Sequence, residues 1–170
     1  MDPAEPLPQI DPWFRSRGWT PFEFQLQTWR AYLEGQSGLL HAPTGTGKTL
    51  AVWLGPVLEA LERGTAATGP APRRDAAEPC RVLWITPLRA LANDTAAALH
   101  EPIEALGLPW TIEKRTGDTP ASLKAKQRRR LPTCLVTTPE SATLLLSYPD
   151  SRSAHWTGRC GSRGRTAAAL

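Results

Sequence analysis

His41-Ala42-Pro43-Thr44-Gly45-Thr46-Gly47-Lys48-Thr49 follows a short apolar run, Gly38-Leu39-Leu40, and leads into Leu50, Trp53, Leu54, Val57, Leu58 and Leu61. Those last residues recur at i, i+3, i+4, i+7, i+8 and i+11, the stripe of an amphipathic helix. A strand, a glycine-bearing loop and a helix are therefore expected in that order. Such a turn binds phosphate: backbone N–H groups cradle the oxygens, a lysine reaches the outer phosphates and a Ser/Thr hydroxyl ligates magnesium. Lys48 and Thr49 suit the last two roles, with Thr44, Gly45, Thr46 and Gly47 lining the pocket. Glycine is needed because a loop wrapped around an anion requires positive φ and close backbone approach. A helix starting near Lys48 adds its unpaired N–H groups and dipole to the same site. The strict pattern has glycine where this chain has Ala42; the rest matches.

At 170 residues the chain is long enough for one domain with a core. No apolar run approaches the length of a membrane span. The start, Met1-Asp2-Pro3-Ala4-Glu5-Pro6, lacks the basic and apolar segments of a secretory signal, so a cytoplasmic protein with no membrane partner is expected. Cys80, Cys134 and Cys160 are odd in number and far apart, with no spacing that suggests zinc. The net charge is only +4, but seven basic residues lie between Thr111 and Arg130 against Glu113 and Asp118, and four arginines and no acid occupy the last twenty positions. A basic stripe suits a phosphate backbone, although Lys124, Lys126, Arg128, Arg129 and Arg130 could equally form a solvated helix face.

Residues 1–12, rich in proline and acids, read as an irregular lead-in. Trp13, Phe14, Trp19, Phe22 and Phe24 form an aromatic cluster, and Phe22, Leu26, Trp29 and Leu33 give a helical stripe ended by Gly35, with Gln25 beside it. Pro56 is expected to bend the helix after the loop. Residues 64–79 read as a flexible connection. Val82-Leu83-Trp84-Ile85 is a buried strand; Leu88, Leu91, Ala92, Thr95 and Leu99 make a helix that should stop or kink before Pro102. Trp110-Thr111-Ile112-Glu113 reads as a weaker strand, then a short basic helix, then a strand at Cys134–Thr137 and a helix through Leu144, Leu145 and Leu146. Strands alternating with helices imply an α/β fold with a parallel sheet. Thr-Pro recurs at residues 20–21, 86–87, 119–120 and 138–139, each before a predicted helix, where threonine can cap and proline can sit at N1. In such a sheet these turns share the edge where ligands bind.

Taken in order, these stretches resemble superfamily 2 helicases of the DEAD/DExH-box class, most closely the large helicase-related (Lhr) and ligase-associated group. The resemblance covers residues 12–150. Ala42 to Thr49 resembles motif I, and Gln25, 23 positions before Lys48, is placed like the glutamine that reads adenine. Thr86-Pro87-Leu88-Arg89-Ala90-Leu91 resembles motif Ia, Thr116-Gly117-Asp118 motif Ib, and Thr137-Thr138-Pro139-Glu140-Ser141 the next strand-binding motif. The resemblance implies a partial RecA-like P-loop NTPase domain over residues 13–150, a parallel sheet flanked by helices. It implies ATP and Mg²⁺ as cofactors, with Lys48 and Thr49 as catalytic residues and Thr49 on the metal. It also implies nucleic acid, single-stranded or tailed DNA above all, as partner, held by Pro87, Arg89, Thr116, Gly117, Thr137, Thr138 and Pro139. DNA repair follows by family analogy alone.

The family continues with an apolar strand ending in paired acids, and no such element exists here: the runs at 82–85 and 134–136 end in threonine. Nor is any stretch of these 170 residues expected to supply the second motor domain that the resemblance implies. Residues 151–170 are expected to be a basic tail, disordered or not authentic domain sequence, behind the front part of a larger helicase. Binding of ATP and nucleic acid without efficient hydrolysis is the expectation for this chain. A non-catalytic nucleotide or nucleic-acid module remains an alternative, as does another P-loop enzyme such as a kinase, which Gln25 and the three strand-binding motifs disfavour.

Overall fold

A computed structural model describes residues 8–66 and 80–148. The chain divides into two compact units, one on residues 1–72 and 102–108 and the other on 73–101 and 109–170.

In the first unit, α1 (Asp11–Ser16), α2 (Glu23–Leu33) and α3 (Lys48–Ala66) carry the structure. The expected lead-in over 1–12 is shorter than read, because Ile10 is fully buried and α1 begins at Asp11; residues before 8 lie outside the described ones. Trp13, Phe14, Trp19 and Trp29 meet edge-to-face, with centroids 5.2–6.3 Å apart, the geometry aromatic quadrupoles favour. The buried side of α2 is Gln25, Leu26 and Trp29. Phe22, expected on that stripe, is 57% exposed and stacks on Phe24. It is the N-cap, with extended backbone at ψ 150°, so its side chain departs before the helical period begins. Against α2, Ala51, Trp53, Leu54, Val57 and Leu58 of α3 are fully buried. The two helices approach closely at Gly55, where a Cβ would stand 2.7 Å from Tyr32 Cγ. The Trp29 indole N–H donates to Leu50 O (3.2 Å). Pro56 lies inside α3, which continues through it to Ala66; packing on both sides outweighs one missing backbone bond. Part of the connection expected over 64–79 is thus helical, and the rest lies outside the described residues.

One expected strand does not form. Residues 36–43 have no regular structure, and Leu39 is 96% exposed. Among the described residues no strand pairs with this run, and an unpaired strand leaves its N–H and C=O groups to water.

The second unit is built on a three-stranded parallel sheet of β1 (Val82–Ile85), β2 (Ile112–Arg115) and β3 (Cys134–Thr137), in the order β1-β3-β2. Val82 and Ile112 both align with Cys134, and Ile85 and Arg115 with Thr137. All four residues of β3 are buried, as a central strand covered on both faces requires. Leu135 packs with Leu131 and Leu145, flanked by Leu83 and Cys80. β2 begins two residues later than Trp110, where the apolar run starts, and takes in Arg115. That arginine is buried, and its guanidinium donates to Lys124 O (3.1 Å) and Gln127 Oε1 (3.3 Å). Gln127, fully buried on α5 (Ala121–Arg129), donates in turn to Glu113 Oε2 (3.0 Å) and Lys114 O (3.1 Å). Every group on this amide is used, which is how a charged residue can end a strand in the interior.

Helix α4 (Arg89–Ala105) runs through Pro102, where a stop or kink was expected. The Pro102 carbonyl still accepts from Leu106 (3.0 Å), so only the missing N–H is lost. Among the four Thr-Pro pairs, only Thr138-Pro139 caps as expected, at the start of α6 (Pro139–Ser147). Pro21 and Pro87 precede their helices by two residues, and Thr119 instead accepts the Thr116 N–H (2.9 Å), closing a turn. A residue before proline is held extended, which ends helix-compatible backbone without specifying where the next helix starts. The tail expected over 151–170 lies outside the described residues, and among those described no helix is long and apolar enough to cross a membrane.

Two measurements test this packing. Gln127→Ala should cost about 1–3 kcal/mol of unfolding free energy in urea, because Arg115 and the Lys114 carbonyl lose buried partners; an unchanged midpoint would contradict the network. Burial pushes the Cys80 thiol up to about 11 from 9.0. A raised folded value stabilises below the unfolded one and is lost as pH climbs. Stability should therefore fall between about pH 9 and 11, and Cys80→Ala should flatten that fall.

Candidate nucleotide and nucleic-acid sites

The loop of the first unit adopts the backbone a phosphate cradle needs. Gly45 and Gly47 have φ of 83° and 81°, conformations that strain any residue with a Cβ. The Thr46 hydroxyl donates to Pro43 O (2.8 Å) and braces the turn. Lys48, the first residue of α3, curls back so that its ammonium donates to Ala42 O and Pro43 O, both at 2.6 Å. The charge thus sits within the loop. The first turn of α3 contains no acid to oppose an anion. Thr44 and Thr49 are exposed.

Gln25 fastens this loop to α2. Its Oε1 accepts the Phe22 N–H (2.9 Å), reaching back to the N-cap, while its Nε2 donates to Gly47 O (3.1 Å). The side chain is 2% exposed. Sequence spacing placed Gln25 beside the apolar stripe; the structure puts it inside, because both ends of its amide are satisfied. One N–H and one oxygen lone pair remain for a further partner.

These features fit a nucleotide polyphosphate: donor amides, one lysine ammonium and a helix N-terminus. The fit to magnesium is narrower. Thr49 offers one hydroxyl, and among the described residues no group of three His, Cys, Asp or Glu side chains gathers to hold a metal. Magnesium bound by few protein groups keeps its waters and the phosphates of its nucleotide as ligands.

In the second unit, three of the quoted segments meet at the carboxyl end of the sheet. Arg89 pairs with Asp118 (3.1 Å), both side chains well exposed. The guanidinium lies so close to Gly117 that a Cβ there would be 2.9 Å from Cζ. Lys124 donates to Gly117 O (2.7 Å). Thr138 caps α6 through Ser141, and Pro87 and Pro139 are exposed. The Glu140 carboxyl is held below its ordinary range, first by its own backbone N–H, then by the Thr138 hydroxyl, with Arg89 adding attraction. Three of the residues expected to bind a strand are buried: Thr138, 4% exposed and engaged in the α6 cap, together with Thr137 and Thr116. Thr137 is fully buried and donates its hydroxyl to Arg115 O (2.7 Å), and Thr116 is 4% exposed with its N–H on Thr119. The Thr137 side chain and the Thr116 backbone N–H are thus engaged within the fold, an arrangement set by ladder position that spacing could not reveal. Sequence reasoning also passed over the Arg89–Asp118 pair, 29 residues apart, and the bond from Lys114 to Asn93 Oδ1 (2.5 Å); nothing local marks either.

Comparison with known proteins adds the following. A family model for the DEAD/DEAH box helicase matches residues 22–160. The Lhr helicase/uracil glycosylase of Escherichia coli (strain K12) is 33% identical over 161 residues, 86% of this chain and 10% of that protein. The ATP-dependent helicase Lhr-Core of Methanothermobacter thermautotrophicus is 32% identical over 155 residues, 85% of this chain and 17% of that protein. The chain therefore spans less than a fifth of either curated relative. Among solved structures, Mycobacterium smegmatis helicase Lhr bound to ssDNA and AMP-PNP superposes with a TM-score of 0.63 at 32% identity, over 91% of this chain and 19% of that one. A hypothetical ATP-dependent RNA helicase from Sulfolobus tokodaii shares the fold, with a TM-score of 0.59 at 24% identity, over 82% of this chain and 36% of that one.

The two loop glycines should differ on substitution. Both carry the positive-φ penalty of about 1–2 kcal/mol, but a Cβ at Gly45 meets open space, whereas one at Gly47 would stand 2.8 Å from Gln25 Nε2. Gly47→Ala should therefore lower the thermal midpoint further than Gly45→Ala. Equal losses would mean that the Gln25 bond does not hold the loop.

Proposed function

From the premise that this chain belongs to the DEAD/DEAH box helicase family, we propose that it is the N-terminal nucleotide- and nucleic-acid-binding part of an Lhr-type ATP-dependent helicase. The loop carries this reading: two positive-φ glycines, a lysine curled among the loop carbonyls and an acid-free helix start. The relative solved with ssDNA and AMP-PNP supports ATP and single-stranded DNA as the ligands.

Bound ATP with Mg²⁺ supplies the transferable phosphoryl group and part of the charge neutralisation. The protein's part is positioning and electrostatic stabilisation. Lys48 would exchange the Ala42 and Pro43 carbonyls for the outer phosphates and bring its ammonium charge to them. The amides of Gly45 to Lys48 would line the pocket, with Thr44 and Thr46 at its rim, and the Thr49 hydroxyl would be the protein's oxygen for magnesium. Gln25 offers its remaining N–H and lone pair to the adenine edge while its other atoms stay on Phe22 and Gly47. Base recognition and loop geometry thereby share one side chain. In the second unit Arg89, the Gly117 backbone and the α6 start at Thr138-Pro139 meet the phosphates of one nucleic-acid strand, with Pro87 and Thr116 shaping the turns around them.

No strand among the described residues ends in paired acids: β1 is followed by Thr86, β2 by Thr116, and β3 ends in Thr137. This chain accordingly binds ATP and nucleic acid without completing hydrolysis, because no carboxylate cluster among the described residues would hold magnesium or position water. That same observation favours the second reading, a non-catalytic binding module.

Lys48→Ala should weaken ATP by about 1.5–3 kcal/mol, the range for a charge-assisted bond, in titration calorimetry. Unchanged affinity would refute the loop assignment. ATP turnover should stay at background with or without single-stranded DNA, and DNA-stimulated turnover would refute the stated need for the missing acids.

A further inference from the structure

Arg128, Arg129 and Arg130 close α5 and have no part in either site described above. Helix α5 starts beside the strand site, where Lys124 donates to Gly117 O (2.7 Å), and its last turn leads through Leu131 to Cys134, the first residue of β3. Its carboxyl end therefore lies at the amino edge of the sheet, away from Arg89, Gly117 and Thr138. Helix α6 runs the same way from Thr138 and ends at Tyr148, whose ring centre is 4.8 Å from the Arg128 guanidinium.

The cations of this helix divide by their partners. Lys124 holds Gly117 O, Lys126 pairs with Glu113 (3.0 Å) and Arg128 covers Tyr148. Arg129 and Arg130 are exposed, and among the described residues neither side chain has a hydrogen bond, an ion pair or a ring contact. Cations in a last helical turn ordinarily complement the helix dipole. Lys126 and Arg128 already do so, and Arg130, with extended backbone at φ −150°, stands just outside the helix. Two adjacent guanidiniums are left whose charge nothing nearby neutralises. They repel one another, and a polyanion removes that cost.

The kind of polyanion follows from the surroundings of the pair. Single strands are held by cations interleaved with stacking rings, and the ring beside this pair, Tyr148, already has the Arg128 guanidinium over its face. A duplex hides its bases and presents about one phosphate charge per 1.7 Å of axis, so cations alone suffice. Helix α5 has nine residues and is about 13 Å long at ~1.5 Å per residue, the span of about four base pairs at ~3.4 Å each. We propose that the carboxyl end of α5 is a docking surface for the backbone of a nucleic-acid duplex, with Arg129 and Arg130 as its phosphate ligands. A duplex arm adjoining the strand held near Gly117 would then lie along α5. The inference rests on the nucleic-acid reading above and adds to it a second surface, at the other edge of the sheet. Guanidiniums hold phosphate oxygens bidentately, and contacts to the backbone alone make the site independent of base sequence.

The test is fluorescence anisotropy of labelled DNAs against the 170-residue chain over a range of salt: a single strand, and the same strand carrying a hairpin duplex arm at either end. An arm at one end should tighten binding to the parent chain and steepen log affinity against log salt. Arg129→Ala combined with Arg130→Ala should weaken that tailed duplex about tenfold at low salt and lower its slope by about 1.8, two contacts at ~0.9 each. The single strand should bind this variant as it binds the parent. Arg129→Lys combined with Arg130→Lys should keep the slope, and so should Arg63→Ala, on α3 and paired with Glu59 (2.7 Å). A urea midpoint equal to the parent's checks that the alanine variant is folded; if it falls, Arg129→Ala alone, which leaves the C-cap residue in place, should lower the slope by about 0.9. If the parent binds none of the DNAs, the nucleic-acid reading fails and this proposal with it. If the parent binds the single strand but neither arm adds to it, or the folded alanine variant keeps its slope, the docking surface is wrong while that reading stands. Poly-glutamate that binds the parent more tightly than the duplex arm does, and is lost in the alanine variant, would make this a site for acidic peptides and overturn the proposal as well.

Discussion

Two hydrogen bonds from one buried amide hold the phosphate loop to the rest of its unit. Gln25 accepts from the Phe22 N–H and donates to the Gly47 carbonyl. The first fixes where α2 begins; the second fixes the glycine that must adopt positive φ. A buried amide left half-satisfied is destabilising, so the two bonds constrain each other. Gln127 does the corresponding work in the other unit, joining Glu113, the Lys114 carbonyl and the Arg115 guanidinium. Each glutamine ties a helix to the backbone of a segment outside it.

The same demand for partners explains which strands exist. β3 is paired on both sides and wholly buried, and β1 and β2 form because β3 lies between them. Gly38-Leu39-Leu40, read from its apolar character as the strand before the loop, finds no such neighbour among the described residues and stays irregular. An apolar run is a statement about side chains; a strand is a statement about backbone partners, and only the second makes a sheet. The extension of β2 to Arg115 reverses the lesson, since a charged residue joined the strand once its guanidinium had acceptors waiting.

The loop was the most legible part of the candidate sites. Gly45 and Gly47 take the conformations that their spacing before Lys48 and Thr49 implied, and α3 carries its apolar stripe inward, because these are local requirements. The placement of the residues expected to bind a strand was legible only in part. Arg89 and Gly117 do come together, but Thr137 and Thr116 turn their polar groups to neighbouring backbone and side chains. Whether a threonine at a strand end faces solvent or the ladder depends on register, which for this sheet is set by residues 82–85 and 112–115.

By itself, then, the sequence determined the alternation of helices and strands, the glycine loop at the start of α3 and the order of the motifs, since periodicity and glycine placement act over a few neighbouring residues. The tertiary structure alone decided that Gln25 is an interior brace, that α3 and α4 run through their prolines, and that Arg89, Asp118, Lys114 and Asn93 surround one cavity. Each of those outcomes is settled by partners twenty or more residues away or by the packing of a whole helix face, and a pattern read along the chain carries no record of what folds against it.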